Sequence, residues 1–280
     1  MNQKSVLITG CSTGIGRCLA LGLHARGYRV FASVKQNKDV TALRAAGLES
    51  LVLDLRASDS IHAAVDEVLA RTGDQLYALI NNGAYGQPGA VEDLTREALR
   101  LQFETNLFGT QELTNRVLPV MRRQNEGRIV QISSLLGIVC MGYRGAYNAS
   151  KFALEALSDT MRLELRETNI YISLVEPGPI TSRFRDNAYQ AYRAHIDKTR
   201  SAHRDYYERV ERRLGGTKPL PFTLPPEAVL AKVIHALEAR RPKLRYPVTF
   251  PSHLFTWLRR FLPGRALDRV MAEVSNSGQR

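Results

Sequence analysis

The sequence predicts an α/β fold built on a doubly wound, mostly parallel sheet. Short apolar runs alternate with amphipathic stretches over the first 180 residues, and a glycine-rich turn joins the first run to the first amphipathic stretch. Several runs are continuously apolar, as expected for strands that are buried on both faces. With 280 residues, one domain is expected: a core of residues 1–185 followed by a C-terminal, largely helical extension on the substrate side, residues 186–280.

Seven runs are predicted to form strands. Six have the apolar character of central strands, and Pro247 restricts the seventh to a sheet edge because proline cannot donate to a neighbouring strand. The predicted strands are residues 5–9, 29–33, 50–54, 77–81, 128–133, 170–175 and 244–248.

Helical spacing of apolar residues predicts helices around 15–23, 61–69 and 226–241, with Gly27 at the position of a C-terminal cap. Strand–helix–strand repeats of this kind favour right-handed crossovers and hence the doubly wound sheet. Residues 185–218 are polar and rich in Arg and Tyr, and we expect them to form an exposed substrate loop or lid.

Composition excludes several classes. No run of about 18 apolar residues is long enough to span a bilayer, and the N-terminus has no signal-peptide pattern. Three cysteines without ligand-like pairing argue against a disulfide framework and against a metal site. These features predict a reducing, cytoplasmic location.

The charge is unevenly distributed along the chain. Residues 1–182 carry 19 basic and 18 acidic side chains, a net of +1, whereas residues 183–280 carry 20 basic and 9 acidic, a net of +11. This excess is either a solvated basic face or a surface attracted to anionic membranes or ligands. No recognised nucleic-acid module accompanies it, so we predict no nucleic-acid partner.

The glycine-rich turn predicts a dinucleotide site. Gly10, Gly14 and Gly16 lie between the first strand and the first helix. Glycine permits positive φ and close approach of the backbone to a ligand, and the helix N-terminus that follows favours a pyrophosphate. A tight packing turn is the alternative.

The end of the second predicted strand selects the dinucleotide. An acidic residue there would bind an adenosine ribose hydroxyl, whereas a basic residue would accommodate a 2′-phosphate. Lys35 occupies this place, with Lys38 nearby, and Asp39 falls further along the chain. The sequence therefore favours NADP over NAD, although Lys35 could also be an ordinary surface lysine.

An ordered series of motifs resembles the short-chain dehydrogenase/reductase family over the N-terminal 185 residues. The series is TGCSTGIG, LDL at 53–55, NNGAYG at 81–86, Asn106, ISS at 132–134, Tyr147-x3-Lys151 and EPGPI at 176–180. Three stretches, SLVEPGPI, RYPVTF and LPGR, extend the likeness toward bacterial aldehyde-reducing members. The resemblance implies a Rossmann-type domain that binds a nicotinamide cofactor.

Tyr147 and Lys151 are the expected acid–base pair. A tyrosine titrates near pH 10, and lowering its pKa by about 3 requires roughly 4 kcal/mol. One positive charge at about 5 Å supplies roughly 3 kcal/mol, and Lys151 stands one helical turn from Tyr147. By resemblance, Ser134 polarises the substrate oxygen, Lys151 also binds the nicotinamide ribose, and Asn106 completes a proton relay through water. A helix-kinking or capping asparagine is the alternative for Asn106.

The resemblance also assigns the remaining cofactor contacts. Asp54 is expected at the adenine amino group, Asn82 along the cofactor, and Asn81 on backbone between strands. The NNGAYG sequence reverses the usual order of the small residues, and Ser182 stands where Thr is commoner. The other implied contacts are Ser12, Thr13, Ile15, Leu55, Gly83, Pro177, Gly178, Ile180 and Ser182.

The substrate is expected to be a small hydrophobic carbonyl compound. The candidate contacts beyond Ser134 and Tyr147 are mostly apolar, and each could instead belong to the core. They are Tyr85, Leu135, Val139, Met141, Tyr143 and Phe184. Residues 252–265 predict a helix that packs over the pocket, forms an interface, or lies on a membrane surface through an apolar face flanked by arginines.

Taken together, these features predict an NADP-dependent oxidoreductase that reduces a hydrophobic aldehyde or ketone, with Tyr147 as proton donor. The alternatives are an NAD-dependent alcohol, retinol or steroid dehydrogenase and, more remotely, a non-catalytic dinucleotide-binding protein. By analogy with relatives we expect a homodimer or homotetramer.

Overall fold

A single parallel sheet forms the centre of the computed structural model, which describes residues 3–214 and 220–277. Within these residues seven strands lie in the order β3-β2-β1-β4-β5-β6-β7, and every neighbouring pair is parallel. The strands are β1 (Ser5–Ile8), β2 (Arg29–Val34), β3 (Glu49–Val52), β4 (Ala78–Asn81), β5 (Gly127–Ile132), β6 (Ile170–Glu176) and β7 (Arg245–Pro247). The seven predicted strands are confirmed, and β7 lies at the predicted edge.

Helices follow the strands and cover both faces of the sheet. A π-helical turn, Glu104–Phe108, connects α4 to α5, and a short 3-10 turn, Leu135–Gly137, follows β5. The helices are α1 (Gly14–Ala25), α2 (Asn37–Arg44), α3 (Ser58–Thr72), α4 (Arg96–Phe103), α5 (Gly109–Gln124), α6 (Gly145–Glu164), α7 (Phe184–His195), α8 (Arg204–Leu214), α9 (Glu227–Glu238), α10 (Phe250–Phe261) and α11 (Gly264–Ser277).

Alternate residues of the strands feed two separate cores. Val6 and Ile8 of β1 pack with α1, α2 and α9, whereas Leu7 between them packs with α3, α5 and α6. Successive side chains of a strand point to opposite faces, so a sheet that is buried on both sides needs continuous apolar runs. This is the physical reason why the strands were recognisable in the sequence.

The segment predicted as an exposed loop or lid, residues 185–218, is instead largely helical over its described part. It forms α7 and α8, and residues 215–219 lie outside the described residues. Tyr192, Tyr206 and Tyr207 are buried and pack together beside Ala90. The Tyr207 hydroxyl donates to the Asp93 carboxylate at 2.5 Å and accepts from the Ala90 amide at 2.8 Å. The polar composition concealed a packed aromatic cluster, because tyrosine buries its ring while its hydroxyl is hydrogen-bonded.

The C-terminal helices α10 and α11 pack over the turn that follows β5. Phe255 of α10 and Met271 of α11 are buried against Leu135 and Val139. The predicted helix at 252–265 is thus divided, because Pro263 separates α10 from α11. Among the described residues, no helix combines the length and the apolarity needed to cross a membrane.

Candidate active site

The glycine turn after β1 leaves no room for side chains. Gly10 and Gly14 have φ of 72° and 57°, which favours glycine. A Cβ on Gly16 would lie 2.2 Å from the Gly10 carbonyl oxygen, and one on Gly10 would lie 2.8 Å from the Gly83 Cα. The backbone is therefore free to approach a ligand closely at this place.

The first turn of α1 is open to an anion. Thr13 stands at the N-cap in an extended conformation, its side chain does not cap the helix, and the first turn carries no acidic residue. The unpaired N–H groups and the positive end of the helix dipole at this terminus suit a pyrophosphate. Together with the glycine cradle, this geometry fits the diphosphate of a dinucleotide.

A polar brace joins the ends of β1 and β4. The Asn82 side-chain amide donates to the carbonyls of Thr9 and Gly10 at 2.8 and 3.2 Å, and the Thr9 hydroxyl accepts from the amides of Asn82 and Gly83 at 2.9 and 2.8 Å. The backbone-holding role predicted for Asn81 therefore falls to Asn82. Asn81 itself donates to the Thr114 hydroxyl of α5 at 2.9 Å.

Three charged residues meet beyond β2 and β3. Arg56 binds both oxygens of Asp54, and the Lys35 amine lies 3.9 Å from the same carboxylate. Burial alone would raise the pKa of Asp54, but the hydrogen bonds from Arg56 and the charge of Lys35 hold that pKa below its ordinary value. Asp54 is thus ionised and partly neutralised at the predicted adenosine end.

The segment after β6 approaches the glycine turn from the other side. The Pro177 carbonyl accepts from the Leu135 amide at 2.8 Å, and Ile180 forms a parallel bridge with Leu224. A Cβ on Gly14 would lie 2.9 Å from the Cβ of Ser182, while a Cβ on Gly178 would lie 2.2 Å from the Thr249 hydroxyl. The structure therefore brings Ser182 to the pyrophosphate end, beside Gly14.

Ser134, Tyr147 and Lys151 converge at the end of β5. Tyr147 and Lys151 lie one turn apart on α6, and both are buried. The Ser134 side chain lies near the Tyr147 hydroxyl and acts to lower the pKa of Tyr147. The Lys151 amine donates to the Ile132 carbonyl at 2.8 Å and lies 5.8 Å from the centre of the Tyr147 ring.

The direction of the tyrosine pKa differs from the prediction. Burial raises the pKa of Tyr147 to about 12, although the nearby Ser134 side chain and the charge of Arg144 oppose this shift. Burial likewise lowers the pKa of Lys151 to about 8, with the Glu155 carboxylate opposing. Desolvation outweighs the effects of Ser134 and Arg144, the expected lowering by Lys151 is not found, and Tyr147 is a protonated hydroxyl at neutral pH.

Asn106 lies in the π-helical turn and holds the neighbouring loop. Its amide donates to the Tyr85 carbonyl at 2.9 Å and to the Ser150 hydroxyl at 3.2 Å, and its oxygen accepts from the Tyr85 amide at 3.1 Å. π-Helical turns interrupt the regular helix and often occur at functional sites. Asn106 therefore lies at an interruption between α4 and α5, where it joins the Tyr85 loop to the residue preceding Lys151.

Among the candidate substrate contacts, one lies against Tyr147 and two lie in a separate buried cluster. The Phe184 ring meets the Tyr147 ring edge-on with centroids 5.3 Å apart, and the Gly86 backbone lies against both rings. Leu135 and Val139 belong to the buried cluster beneath α10 and α11, in agreement with the alternative that they are core residues.

The other three candidates are only partly buried. Tyr143 stacks on Tyr206 within the aromatic cluster of α7 and α8, and its φ is 60°. Met141 packs at the border of the α10–α11 cluster, and its carbonyl accepts from the Asn148 amide at 3.0 Å. Tyr85 stands in the loop that Asn106 holds.

Sequence reasoning missed a buried charged cluster behind Lys151. Arg245 of β7 binds the Glu155 carboxylate at 2.9 Å and the Asp159 carboxylate at 2.7 Å, and its Nε lies 3.1 Å from a Glu176 oxygen. The cluster joins α6, β6 and β7. Its signal in the sequence is the four-residue spacing from Lys151 to Glu155 and on to Asp159, which places the three on one helix face.

The carboxyls of this cluster differ in protonation. Burial raises the pKa of Glu176 to about 8, and the neighbouring Glu155 carboxylate adds to the shift while Arg245 opposes it. Burial also raises the pKa of Glu155. Burial would raise that of Asp159 too, but hydrogen bonds from Arg245 and Arg162 hold it below its ordinary value. One guanidinium is shared by three carboxyls, so the most buried of them retains its proton.

Comparison with known proteins decides the family. The family model described as short chain dehydrogenase matches residues 4–193. This chain belongs to the short-chain dehydrogenase/reductase family. It is therefore an oxidoreductase whose Rossmann-type fold binds NAD or NADP, in agreement with the glycine cradle and the open end of α1.

Individual relatives resemble nearly the whole chain. An uncharacterized oxidoreductase of Escherichia coli, YbbO, is 42% identical over 269 residues, which are 96% of this chain and 94% of that protein. An NADPH-dependent 3-dehydrocapnine reductase of Ornithobacterium rhinotracheale is 29% identical over 96% of each chain. The crystal structure of a short-chain dehydrogenase from Streptomyces avermitilis superposes with a TM-score of 0.75 and 29% identity, over 98% of this chain and 96% of that one.

The buried cluster predicts a pH-dependent stability. Glu176 has a folded pKa of about 8 against an ordinary value of 4.5, so the folded state holds a proton that the unfolded state has released. As pH rises from 4.5 to 8, this group therefore lowers the free energy of unfolding. Relative to the wild type, we expect Glu176→Gln to gain roughly 3 to 4 kcal/mol in the free energy of unfolding between pH 5 and pH 8, as measured by urea denaturation.

Glu49→Gln is the matched control, the same substitution at a carboxyl outside the cluster. Because the hydrogen bond from Arg29 holds the pKa of Glu49 below its ordinary value, this carboxyl is ionised throughout the range from pH 5 to pH 8. Its substitution should change the free energy of unfolding by the same amount at both pH values. If the free energies of unfolding of Glu176→Gln and the wild type changed equally with pH, Glu176 would be shown to ionise normally.

Proposed function

We propose that this protein is an NADPH-dependent reductase of hydrophobic aldehydes or ketones, with Tyr147 as the proton donor. The observation that carries the proposal is the buried Tyr147, which has Ser134 beside it, Lys151 one turn along α6, and the Phe184 ring against its own ring. A donor must be protonated at working pH, and burial raises the pKa of Tyr147 to about 12. A tyrosine in this state supports reduction of a carbonyl over oxidation of an alcohol.

Three side chains have distinct tasks in this mechanism. NADPH, when bound, would supply the hydride for the carbonyl carbon. The hydroxyls of Ser134 and Tyr147 hydrogen-bond the carbonyl oxygen, stabilise the negative charge that develops on it, and Tyr147 transfers its proton there. Lys151, one turn further along α6, supplies positive charge near the phenolate that remains and would bind the nicotinamide ribose.

The preference for NADP rests on the residue that follows β2. Lys35 is exposed at the carboxyl end of that strand, where a 2′-phosphate would need a cation. Arg56 already neutralises Asp54 from the other side. The amine of Lys35 lies 3.9 Å from the Asp54 carboxylate and is therefore only loosely bound to it. The relative from Ornithobacterium, which is NADPH-dependent by name, agrees with this assignment.

The apolar character of the substrate rests on the surroundings of Tyr147. Its ring is packed edge-on against Phe184, and the Gly86 backbone lies against both rings. A second aromatic residue, Tyr85, is half-buried next to Gly86. Such walls favour a hydrocarbon chain next to the carbonyl over a charged group.

The first test removes the proton donor. Tyr147→Phe should lower kcat for NADPH-dependent reduction of a long-chain n-alkanal by roughly 10²–10⁴-fold, because the alkoxide then lacks a positioned acid. Tyr143→Phe removes a hydroxyl from a tyrosine four residues earlier and should leave kcat nearly unchanged. Undiminished reduction by Tyr147→Phe would rule out this mechanism. If the wild type reduced the alkanal no faster than NADPH does without enzyme, the protein would be a non-catalytic dinucleotide-binding protein.

The second test concerns the cofactor. Lys35→Asp should lower kcat/KM for NADPH about 10–100-fold, because a charge-assisted bond to the 2′-phosphate is lost and replaced by repulsion. The kcat/KM for NADH should stay the same or rise, because an acidic side chain at this place can bind the adenosine ribose hydroxyl. Lys243→Asp, at another exposed lysine, serves as the control for net charge. A wild type that strongly prefers NADH would refute the NADP assignment and favour the NAD-dependent dehydrogenase alternative.

The third test measures the apolar wall. Across n-alkanals of increasing length, kcat/KM should rise by up to about fourfold per methylene, which corresponds to roughly 0.8 kcal/mol per buried CH₂. Phe184→Ala should flatten this slope, whereas Phe261→Ala at an exposed position should keep it. A flat wild-type profile would contradict a hydrophobic substrate.

A further inference from the structure

Helix α10 presents an apolar stripe to solvent. Phe250, Leu254, Trp257 and Phe261 are 58%, 38%, 65% and 65% exposed. Their spacing of four, three and four residues places them within about 60° of one another around the helix. A surface helix ordinarily directs polar residues outward, so this face is the reverse of the usual pattern.

The stripe is not required for packing α10 onto the protein. The opposite face does this, because Phe255 is buried and Leu258 is partly buried against the cluster that contains Leu135. Arg259 on the same inner side donates to the Ile138 carbonyl and lies over the Phe152 ring. The helix is thus fixed by its inner face, and the outer apolar stripe is available.

A second element extends the stripe. Phe222 is 60% exposed, and its ring centroid lies 5.2 Å from that of Phe250. The φ of Phe222 is 60°, a conformation that bulky residues rarely adopt and that persists only where the surroundings hold it. At the other end the Trp257 and Phe261 rings stack at 5.2 Å. Two separate parts of the chain therefore place aromatic rings on one exposed patch.

The basic charge near the stripe favours an anionic binding partner. Residues 183–280 carry a net charge of +11, and Arg260 is exposed beside Phe261 on the flank of the stripe. A second copy seated on the stripe would bring its own basic residues against this face, whereas an anionic lipid surface would attract them. Trp and Phe next to basic residues are also the composition that favours the headgroup boundary of a bilayer.

We propose that the stripe of α10, together with Phe222, docks this protein on anionic lipid bilayers. The aromatic rings would enter the headgroup boundary and the basic flank would contact lipid phosphates and carboxylates. Because the inner face of α10 covers Leu135, which follows Ser134, docking would hold the catalytic end of the sheet near the membrane. Binding requires neither cofactor nor turnover, so this proposal and the proposed function fail separately.

The protein carries its own reporter for the test, because Trp257 is the single tryptophan of the chain. The full chain is titrated with vesicles of phosphatidylcholine containing phosphatidylserine and with vesicles of pure phosphatidylcholine. With the anionic vesicles we expect a blue shift of the tryptophan emission, quenching by brominated lipid, and co-sedimentation. Binding to the neutral vesicles should be at least about tenfold weaker, and added salt should weaken anionic binding through screening.

Substitutions on both sides of the reporter complete the test. Leu254→Ser with Phe261→Ser retains Trp257 and should weaken vesicle binding by about tenfold or more per side chain. Leu163→Ser, at a residue 69% exposed on α6, is the matched control and should bind like the wild type. Reduction of a soluble alkanal by NADPH should be equal in all three proteins, which also shows that each is folded.

Three results would overturn the proposal. One is an unchanged tryptophan emission and no sedimentation with anionic vesicles. Another is a Leu163→Ser variant whose binding to anionic vesicles is weakened as much as that of the Leu254→Ser, Phe261→Ser double variant. The third is a change of solution mass, measured by light scattering without lipid, on substitution of Leu254 and Phe261, because this would show that a second copy covers the stripe.

Discussion

The parallel direction of all seven strands is the constraint on which the candidate site depends. Because neighbouring strands run the same way, their carboxyl ends meet at one edge of the sheet, and three segments of the candidate site follow such ends. The glycine turn follows β1, Lys35 follows β2, and Ser134 lies two residues beyond β5. Residues that are far apart in the chain are thereby brought into one crevice without a dedicated active-site domain.

The crevice has two chemically different ends. Closely packed backbone lines the nucleotide end, and buried polar side chains line the reactive end. At the nucleotide end no Cβ is tolerated on Gly16, and Asn82 ties β4 to the glycine turn, so the binding surface is mostly backbone. At the reactive end the groups are buried side chains, and desolvation controls their protonation. It raises the pKa of Tyr147 and lowers that of Lys151, so both are biased toward their neutral forms.

The C-terminal third supports the reactive end from two sides. On one side the tyrosines of α7 and α8 pack near Ala90, and α7 begins at Phe184, the residue that meets Tyr147. On the other side α10 and α11 cover the turn after Ser134. Arg245 of β7 adds a third support, because it holds the helix that carries Tyr147 and Lys151 through Glu155 and Asp159. The extension is therefore part of the framework of the site.

The sequence by itself determined the sheet, the glycine turn and the order of motifs, because these depend on local patterns: apolar runs, glycine conformations and four-residue helical spacing. It could not determine whether residues 185–214 pack, since a tyrosine is equally suited to solvent and to an aromatic cluster. It could not show that Leu135 is core while Phe184 lies beside Tyr147, nor that Arg245 meets Glu155, because these contacts join segments 37 and more residues apart. Only the tertiary structure decided the burial of Tyr147 and Lys151, and with it the direction of both pKa values, because desolvation is a property of everything packed around a group.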